Sequence, residues 1–460
     1  MLKIRIAVIT DLIKYLGSRQ IEEIARKTGF LKRRDGKLKP ETFFKALTIG
    51  LWGSHEASLT QLTEKCEEIQ KGLEITKQAL HERLDTGSAF LKEMLGETMT
   101  YALMHKVKVS LGGVLDRFMN IYITDATYLV LPDKLEEYYP GCGGTSKSKA
   151  ALKIQTIINL VTHSIKDIQT RAGKESDKCF AKDIIRILEK GDLVIQDLGY
   201  LSGDFLKGVI EQEAYFLSRV PLKVAFFRDL KTSQNYPLPV SEIFKENETR
   251  VDTWLYMGHD KKLRVPVRVV AQKLPPEVVN ERLRKAYAKK KNRNLTKDQK
   301  TLLCWNIVIT NAPEEMLPEG AVLELYRIRW QIEIVFKAWK SHLGLKNVAY
   351  GGKSQVECML YGRLITITLL TTIYSCYYAL MYKEQKRELS ILKFFCRLRD
   401  KAKELADHIN KGISGALEIS SIISKAASKS LSEKRKRKTT LEAILEYNVE
   451  DNTINLGLSG

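Results

Sequence analysis

Ile121-Tyr-Ile-Thr-Asp-Ala-Thr127 opens the part of the chain whose reading decides the fold. β-Branched and aromatic residues crowd around one aspartate, as in a strand that delivers a polar group at its end. Strand patterns continue over Lys153 to His163 and Lys166 to Ala172, and a helix is expected over Ala181 to Lys190. Leu193-Val-Ile-Gln-Asp197 is another strand ending in aspartate. A helix starting near Ser202 then leads to the strand Ala214-Tyr-Phe-Leu-Ser-Arg-Val220. This alternation predicts a mixed α/β sheet. Open α/β sheets present functional groups at strand ends, although aspartate is also a common turn residue there.

Residues on either side of this block read differently. Up to about residue 112, apolar positions recur at three- and four-residue spacing in DLIKYLG, ETFFKALTIGLW and SAFLKEMLGETMTYALM, predicting helices. Leu73 to Leu84 reads as a turn and a short helix with Thr76 as N-cap. It offers Lys77, Gln78, His81 and Arg83 either to DNA or simply to solvent. Downstream, Arg250 to Met257 and Leu263 to Val270 flank a Gly258-His-Asp turn and predict a β-hairpin. Pro266 is expected to confine its strand to a sheet edge. Glu281 to Lys300 is rich in Lys and Arg and suits a solvated segment or a DNA backbone. A long helix is expected from Pro318 through Leu343, followed by an apolar helix and a charged helical tail. The run Lys434 to Lys438 in that tail reads as an exposed basic stretch.

At 460 residues the chain is long enough for several domains. Its 75 Lys and Arg against 55 Asp and Glu give a net charge of +20, which fits a polyanion-binding protein as well as a merely soluble one. The seven cysteines are scattered and form no C-x-x-C pair, so neither a disulfide framework nor a zinc site is indicated and a reducing cytosol fits. The N-terminus lacks the pattern of a signal peptide. Leu364 to Met381 is uncharged, but its threonines, serine and tyrosines favour a buried helix over a membrane span.

The segment Tyr326-Arg-Ile-Arg-Trp-Gln-Ile-Glu-Ile-Val-Phe-Lys-Ala-Trp-Lys340 carries the strongest chemical signal. Tyr326, Arg329, Glu333 and Lys340 have the spacing Y-x2-R-x3-E-x6-K. On one continuous helix they share a stripe roughly 60° wide, joined by Lys337. Leu325, Ile328, Ile332, Val335, Phe336, Trp339 and Leu343 form the adjoining apolar face. Such a stripe can ligate metal through Glu333 and hold phosphate oxygens through Arg329 and Lys340, with Tyr326 adding a hydrogen bond. An ordinary exposed helix with an Arg329–Glu333 pair has the same spacing.

This helix resembles the signature helix of DDE transposases of the insertion-sequence-four type. Asp197-Leu-Gly-Tyr200 and Thr124-Asp125-Ala-Thr127 resemble the family's elements around its two aspartates. Leu131 to Leu135, Pro140 to Gly144 and Lys153 to Gln155 resemble segments after the first aspartate. The resemblance spans about Ile121 to Leu345. It implies a ribonuclease-H-like α/β fold, with a mixed sheet, a β-rich insertion and helical N- and C-terminal domains. The corresponding boundaries are a DNA-binding region at 1–112, a catalytic domain divided between 113–220 and 313–385, an insertion at 221–312, and a helical C-terminal region at 386–460 as the candidate for dimerisation.

It further implies that Asp125, Asp197 and Glu333 are catalytic metal ligands. Two Mg2+ ions, replaceable by Mn2+, would then serve hydrolysis and strand transfer. Trp305 falls where hairpin-forming relatives place a base-stacking tryptophan, and a core tryptophan is the equal alternative. Tyr326, Arg329, Lys337, Lys340 and Trp305 are the expected DNA contacts. The expected partners are double-stranded DNA, as terminal inverted repeats and target, and a second subunit forming a homodimer on DNA, without membrane. The expected location is the bacterial cytoplasm, near the nucleoid. A DNA-binding derivative acting as repressor and a structure-specific nuclease on the same fold are the alternatives.

Overall fold

The apolar spacings of the N-terminal region produce α1 (Leu2–Leu16), α2 (Arg19–Lys27), α3 (Pro40–Lys45), α4 (Leu59–Ile69) and α5 (Lys77–Met104). The computed structural model describes residues 2–32, 37–53, 58–105, 107, 110–143, 148–229, 236–260, 262, 264–289, 294–348, 351–433, 440–445 and 447. Ser58 and Gln61 form a reciprocal capping box at the start of α4. Thr76 caps α5 by accepting a hydrogen bond from the Ala79 amide at 3.1 Å. The expected short helix after Thr76 continues through Met104, because Gly87 does not break it. A Cβ at Gly87 would lie 2.7 Å from Cζ of Phe43, so glycine permits close packing at that point. Arg83, considered for DNA contact, donates to the Phe30 carbonyl at 3.1 Å.

The sheet begins with β1 (Ile121–Leu131), β2 (Ala150–Asn159) and β3 (Ile165–Ala172). β2 stops short of the expected His163, since the Asn159 carboxamide accepts from the amides of Val161 and Thr162 and turns the chain. Next come α6 (Ala181–Ile187), β4 (Leu193–Gln196), α7 (Gly203–Glu211), β5 (Tyr215–Arg219) and β6 (Phe226–Phe227). The insertion adds α8 (Val240–Ile243), β7 (Arg250–Met257), β8 (Val265–Lys273), α9 (Pro276–Lys289), α10 (Lys297–Leu303) and β9 (Trp305–Thr310). Strand order is β3-β2-β1-β4-β5-β9-β8-β7-β6. Its first five strands, with β1, β4 and β5 parallel and β2 antiparallel to β3, form the expected ribonuclease-H-like arrangement.

β8 is an interior strand, which corrects the edge assignment drawn from Pro266. β9 pairs only with Arg268 to Lys273, so Pro266 lies beyond its reach and no β9 carbonyl awaits the missing N–H. The chain continues through α11 (Glu319–Arg327), a 3₁₀ turn at Ile328–Trp330, α12 (Gln331–His342) and α13 (Lys353–Gln385). α14 (Ile391–Arg399), α15 (Ala402–Asn410), α16 (Ala416–Ser428) and α17 (Thr440–Leu445) follow. Lys434 to Lys438 lie outside the described residues.

Two compact units result. One comprises Met1–Val109, Ala126–Glu175 and Gln331–Lys434; the other comprises Ser110–Asp125, Ser176–Trp330 and Arg435–Gly460. In the first, α13 is the central helix, buried from Cys358 through Met381. Among the described residues it alone is long and apolar enough to cross a membrane, and 94% of its most apolar window is buried inside the fold. In the second, Val194, Val267, Val269 and Val308 are fully enclosed in the sheet.

Candidate active site

Strand register builds the site. Thr124 of β1 is paired with Gln196 of β4, and Ile195 of β4 with Leu217 of β5. Continuing both registers sets Asp125, Asp197 and Arg219 in one row across three parallel strands, neighbouring strands being about 4.8 Å apart. Asp197 follows the last residue of β4 and Arg219 is the last residue of β5. Asp125 is interior to the longer β1, not at its end, because the strand continues to Leu131. Thr124 and Gln196, one residue earlier, are fully buried, whereas both aspartate side chains retain solvent access. Side-chain alternation along the strands gives that contrast.

Two adjacent carboxylates repel one another, and Arg329 offsets the repulsion. Its Nη1 donates to Oδ2 of Asp125 at 2.9 Å, and its Nε lies 4.0 Å from Oδ1 of Asp197. Arg329 is 9% exposed, so this interaction is only partly screened by water. Tyr326 is also buried and donates its hydroxyl to the Gln196 carbonyl at 3.4 Å. The Arg219 guanidinium lies 5.4 Å from the centroid of its ring. Burial pushes the Tyr326 phenol upward, while Arg219 and Arg329 oppose the shift. The phenol is therefore a hydrogen-bond donor near neutrality.

The expected single helical stripe is interrupted. Ile328–Trp330 is a 3₁₀ turn, where each residue advances by about 120° instead of 100°, so angles counted from Tyr326 do not carry into α12. Tyr326 and Arg329 face inward, whereas Glu333 and Lys337 are exposed and Lys340 is half-buried. Burial, then neighbouring Lys346, lowers the Lys340 ammonium from its ordinary range. The predicted apolar face is buried throughout: Leu325, Ile328, Ile332, Val335, Phe336, Trp339 and Leu343.

Trp305, weighed between stacking platform and core, is a core residue here. It is 2% exposed, and its ring centroid lies 5.4 Å from that of Phe244. Its carbonyl accepts from Nη1 of Arg282 at 2.9 Å. A hollow of about 400 Å³ beside it is lined by Arg219, Arg282 and Lys285 together with apolar residues including Leu295 and Leu302. Burial, then Arg219, lowers the pKa of Arg282. Trp330, immediately after Arg329, is by contrast 61% exposed.

Sequence reading missed Arg219 and Trp330 as functional candidates. Arg219 could have been found only with the β4–β5 register in hand, and Trp330 only with the 3₁₀ turn. In the N-terminal region Lys77, Gln78 and His81 are exposed on α5.

The aspartate pair supplies hard oxygen donors suited to Mg2+ or Mn2+. Among the described residues, no group of three or more His, Cys, Asp or Glu is gathered closely enough to hold a metal ion. The fit observed within one unit is thus the Asp125–Asp197 pair, while Glu333 is carried by α12 in the other unit.

The family described as "Transposase DDE domain" matches residues 116–369. The transposase for insertion sequence element IS231F of Bacillus thuringiensis subsp. israelensis is 30% identical over 412 residues, covering 85% of each chain. The transposase for insertion sequence element IS1151 of Clostridium perfringens is 28% identical over 413 residues, covering 85% of this chain and 86% of the relative. A piggyBac transposase, solved as a synaptic complex with hairpin DNA, has a TM-score of 0.44 and 10% identity over 95% of this chain and 87% of its own. By the extent of these matches, the chain belongs to the DDE transposases of the insertion-sequence-four type.

Proposed function

We propose that this transposase binds the terminal inverted repeats of an insertion sequence and performs cut-and-paste excision and strand transfer, with Asp125, Asp197 and Glu333 as catalytic metal ligands. The observation that carries this reading is the row Asp125, Asp197 and Arg219, with Arg329 against Asp125. It puts two metal-binding oxygens beside a cation able to hold a phosphate. Bound divalent ions would lower the pKa of a water nucleophile and offset charge on the leaving oxygen.

The chain's own residues orient the DNA. Arg219 holds a phosphate near the aspartates, and Arg329 sets the Asp125 carboxylate by its hydrogen bond. Lys337 and Lys340 supply cations along α12. Tyr326 packs its ring against Arg219 and is not a covalent nucleophile. Trp330 replaces Trp305 as the proposed stacking residue, since it is 61% exposed and directly follows Arg329. A freed 3′-hydroxyl can attack the opposite strand, releasing the flanking DNA and giving a hairpin; water then reopens the hairpin and regenerates the 3′-hydroxyl, which attacks target DNA by the same displacement. Two subunits would pair the two ends.

The test is cleavage of a plasmid carrying the element's flanking inverted repeats, with Mg2+ or EDTA. Wild type should release the repeat-bounded fragment only with Mg2+. Asp197→Ala and Glu333→Ala should bind the ends without cutting. Cleavage retained by Asp197→Ala would refute the assignment.

A further inference from the structure

α14, α15 and α16 bring cations from three separate segments to one hollow. It measures about 330 Å³ and is lined by Arg397, Lys401, Lys425 and Lys429, with Asp400 and Glu404 as its acids and Ile422 and Ala426 among its lining. Both acids already have basic partners: Asp400 pairs with Arg399 at 3.0 Å and Glu404 with Lys401 at 2.9 Å. Among the described residues, no ion pair within 4 Å engages Arg397, Lys425 or Lys429, and all three are exposed. The Glu404 carboxyl is lowered chiefly by its bond to Lys401, with smaller contributions from His408 and Lys425.

Lysines in the last turn of one helix are explained by its dipole alone. That explanation does not account for the meeting of Arg397 near the end of α14, Lys401 before α15, and Lys425 and Lys429 at the end of α16. Their convergence leaves excess positive charge around a concave surface with an apolar floor. A chain of evenly spaced phosphates is the ligand that matches several unneutralised cations at once, without needing a base-reading group.

We propose that this hollow, in the unit that does not carry the aspartate row, is a second DNA-binding surface that grips the phosphate backbone of duplex DNA independently of sequence. It rests on the DNA reading given above. Held there, DNA would gain affinity through counterion release while the reaction stays with Asp125, Asp197 and Glu333.

The test measures binding of the full chain to a repeat-bearing duplex and to an unrelated duplex of equal length, across a salt series. Lys425→Ala/Lys429→Ala should reduce the slope of log affinity against log salt by about 2, roughly one per lost phosphate contact. Lys425→Glu/Lys429→Glu should weaken binding further, and Lys425→Arg/Lys429→Arg should restore the slope. Lys393→Ala, whose ammonium is already held by Glu433 at 2.9 Å, should leave it unchanged and so controls for net charge. Equal losses on both duplexes identify sequence-independent backbone contact, whereas loss on the repeat duplex alone would overturn sequence independence. An unchanged slope in the glutamate variant would overturn the site. Asp197→Ala separates the two proposals, because it should abolish cleavage with no change in salt slope. Failure of wild type to bind either duplex would sink the DNA reading itself.

Discussion

Asp125 and Asp197 are held by paired strands, whereas Glu333 stands on the exposed face of a helix entered through a 3₁₀ turn. In the strands, backbone hydrogen bonds fix which residues are neighbours, and one residue of slip would turn both carboxylates to the opposite face. On α12 the buried apolar stripe fixes the helix, while Glu333 stands on its exposed side. The first arrangement makes position a property of the sheet. The second leaves it to side-chain packing around the helix.

The largest expected effect tests the strand side. Asp197→Ala should reduce end cleavage by on the order of 10³-fold or more while leaving DNA binding intact, as measured by cleavage and by mobility shift. Survival of substantial cleavage would show that register alone does not identify a catalytic residue.

The tryptophans offer a second contrast, between burial and exposure. Trp305→Ala should destabilise the protein by about 3 to 5 kcal/mol in denaturant unfolding, because it empties an enclosed site. Trp330→Ala should change stability by no more than about 0.5 kcal/mol and instead slow cleavage of repeat-bearing DNA. Reversal of these outcomes would return the stacking role to Trp305.

Arg329→Gln should cost about 1 to 3 kcal/mol by removing the charged hydrogen bond from Arg329 to Asp125. The further substitution Asp125→Asn should recover part of that loss. Additive losses in this double-mutant cycle would deny the coupling.

An effect confined to acid pH concerns the turn joining β2 to β3. His163 packs edge-on against Tyr374 and Tyr378, with Glu388 lining the same hollow, and burial pushes its imidazole down to about 4. Protonation therefore favours the unfolded chain: the contribution is complete above the ordinary value near 6.5 and is lost as pH falls toward 4. Unfolding at a series of pH values should show roughly 2 to 3 kcal/mol of this loss. His163→Asn, which tolerates the backbone's φ of 56°, should remove that component.

Period-two and three-to-four-residue patterns made most strands and helices legible in the sequence. Asp125 and Asp197 were visible as polar residues closing apolar runs, and the spacing around Glu333 marked its helix. Register was not visible, since it is a relation between strands far apart in sequence; hence Arg219 was missed. Pro266 misled because proline forbids a donated hydrogen bond, not an interior position where the next strand has already ended. The helix after Thr76 was read as short although it runs through Met104, and at Gly87 within it the close approach of Phe43 requires glycine. The even angular step assumed along Tyr326 to Lys340 failed at three residues only, yet those three decide that Tyr326 and Arg329 face inward.

The pairing of α5 with α13 sets a schedule for folding. Cys358 on α13 donates to the Leu84 carbonyl on α5, and Ser88 on α5 donates to Glu357, contacts made between segments separated by most of the chain. At ribosomal speeds of about 5 to 20 residues per second, α5 waits tens of seconds for its partner to be made. During that interval its apolar side needs a temporary cover, and a polypeptide interrupted before Lys353 never gains the permanent one. Such a fragment would leave the apolar side of α5 uncovered and so be a client for chaperones and proteases.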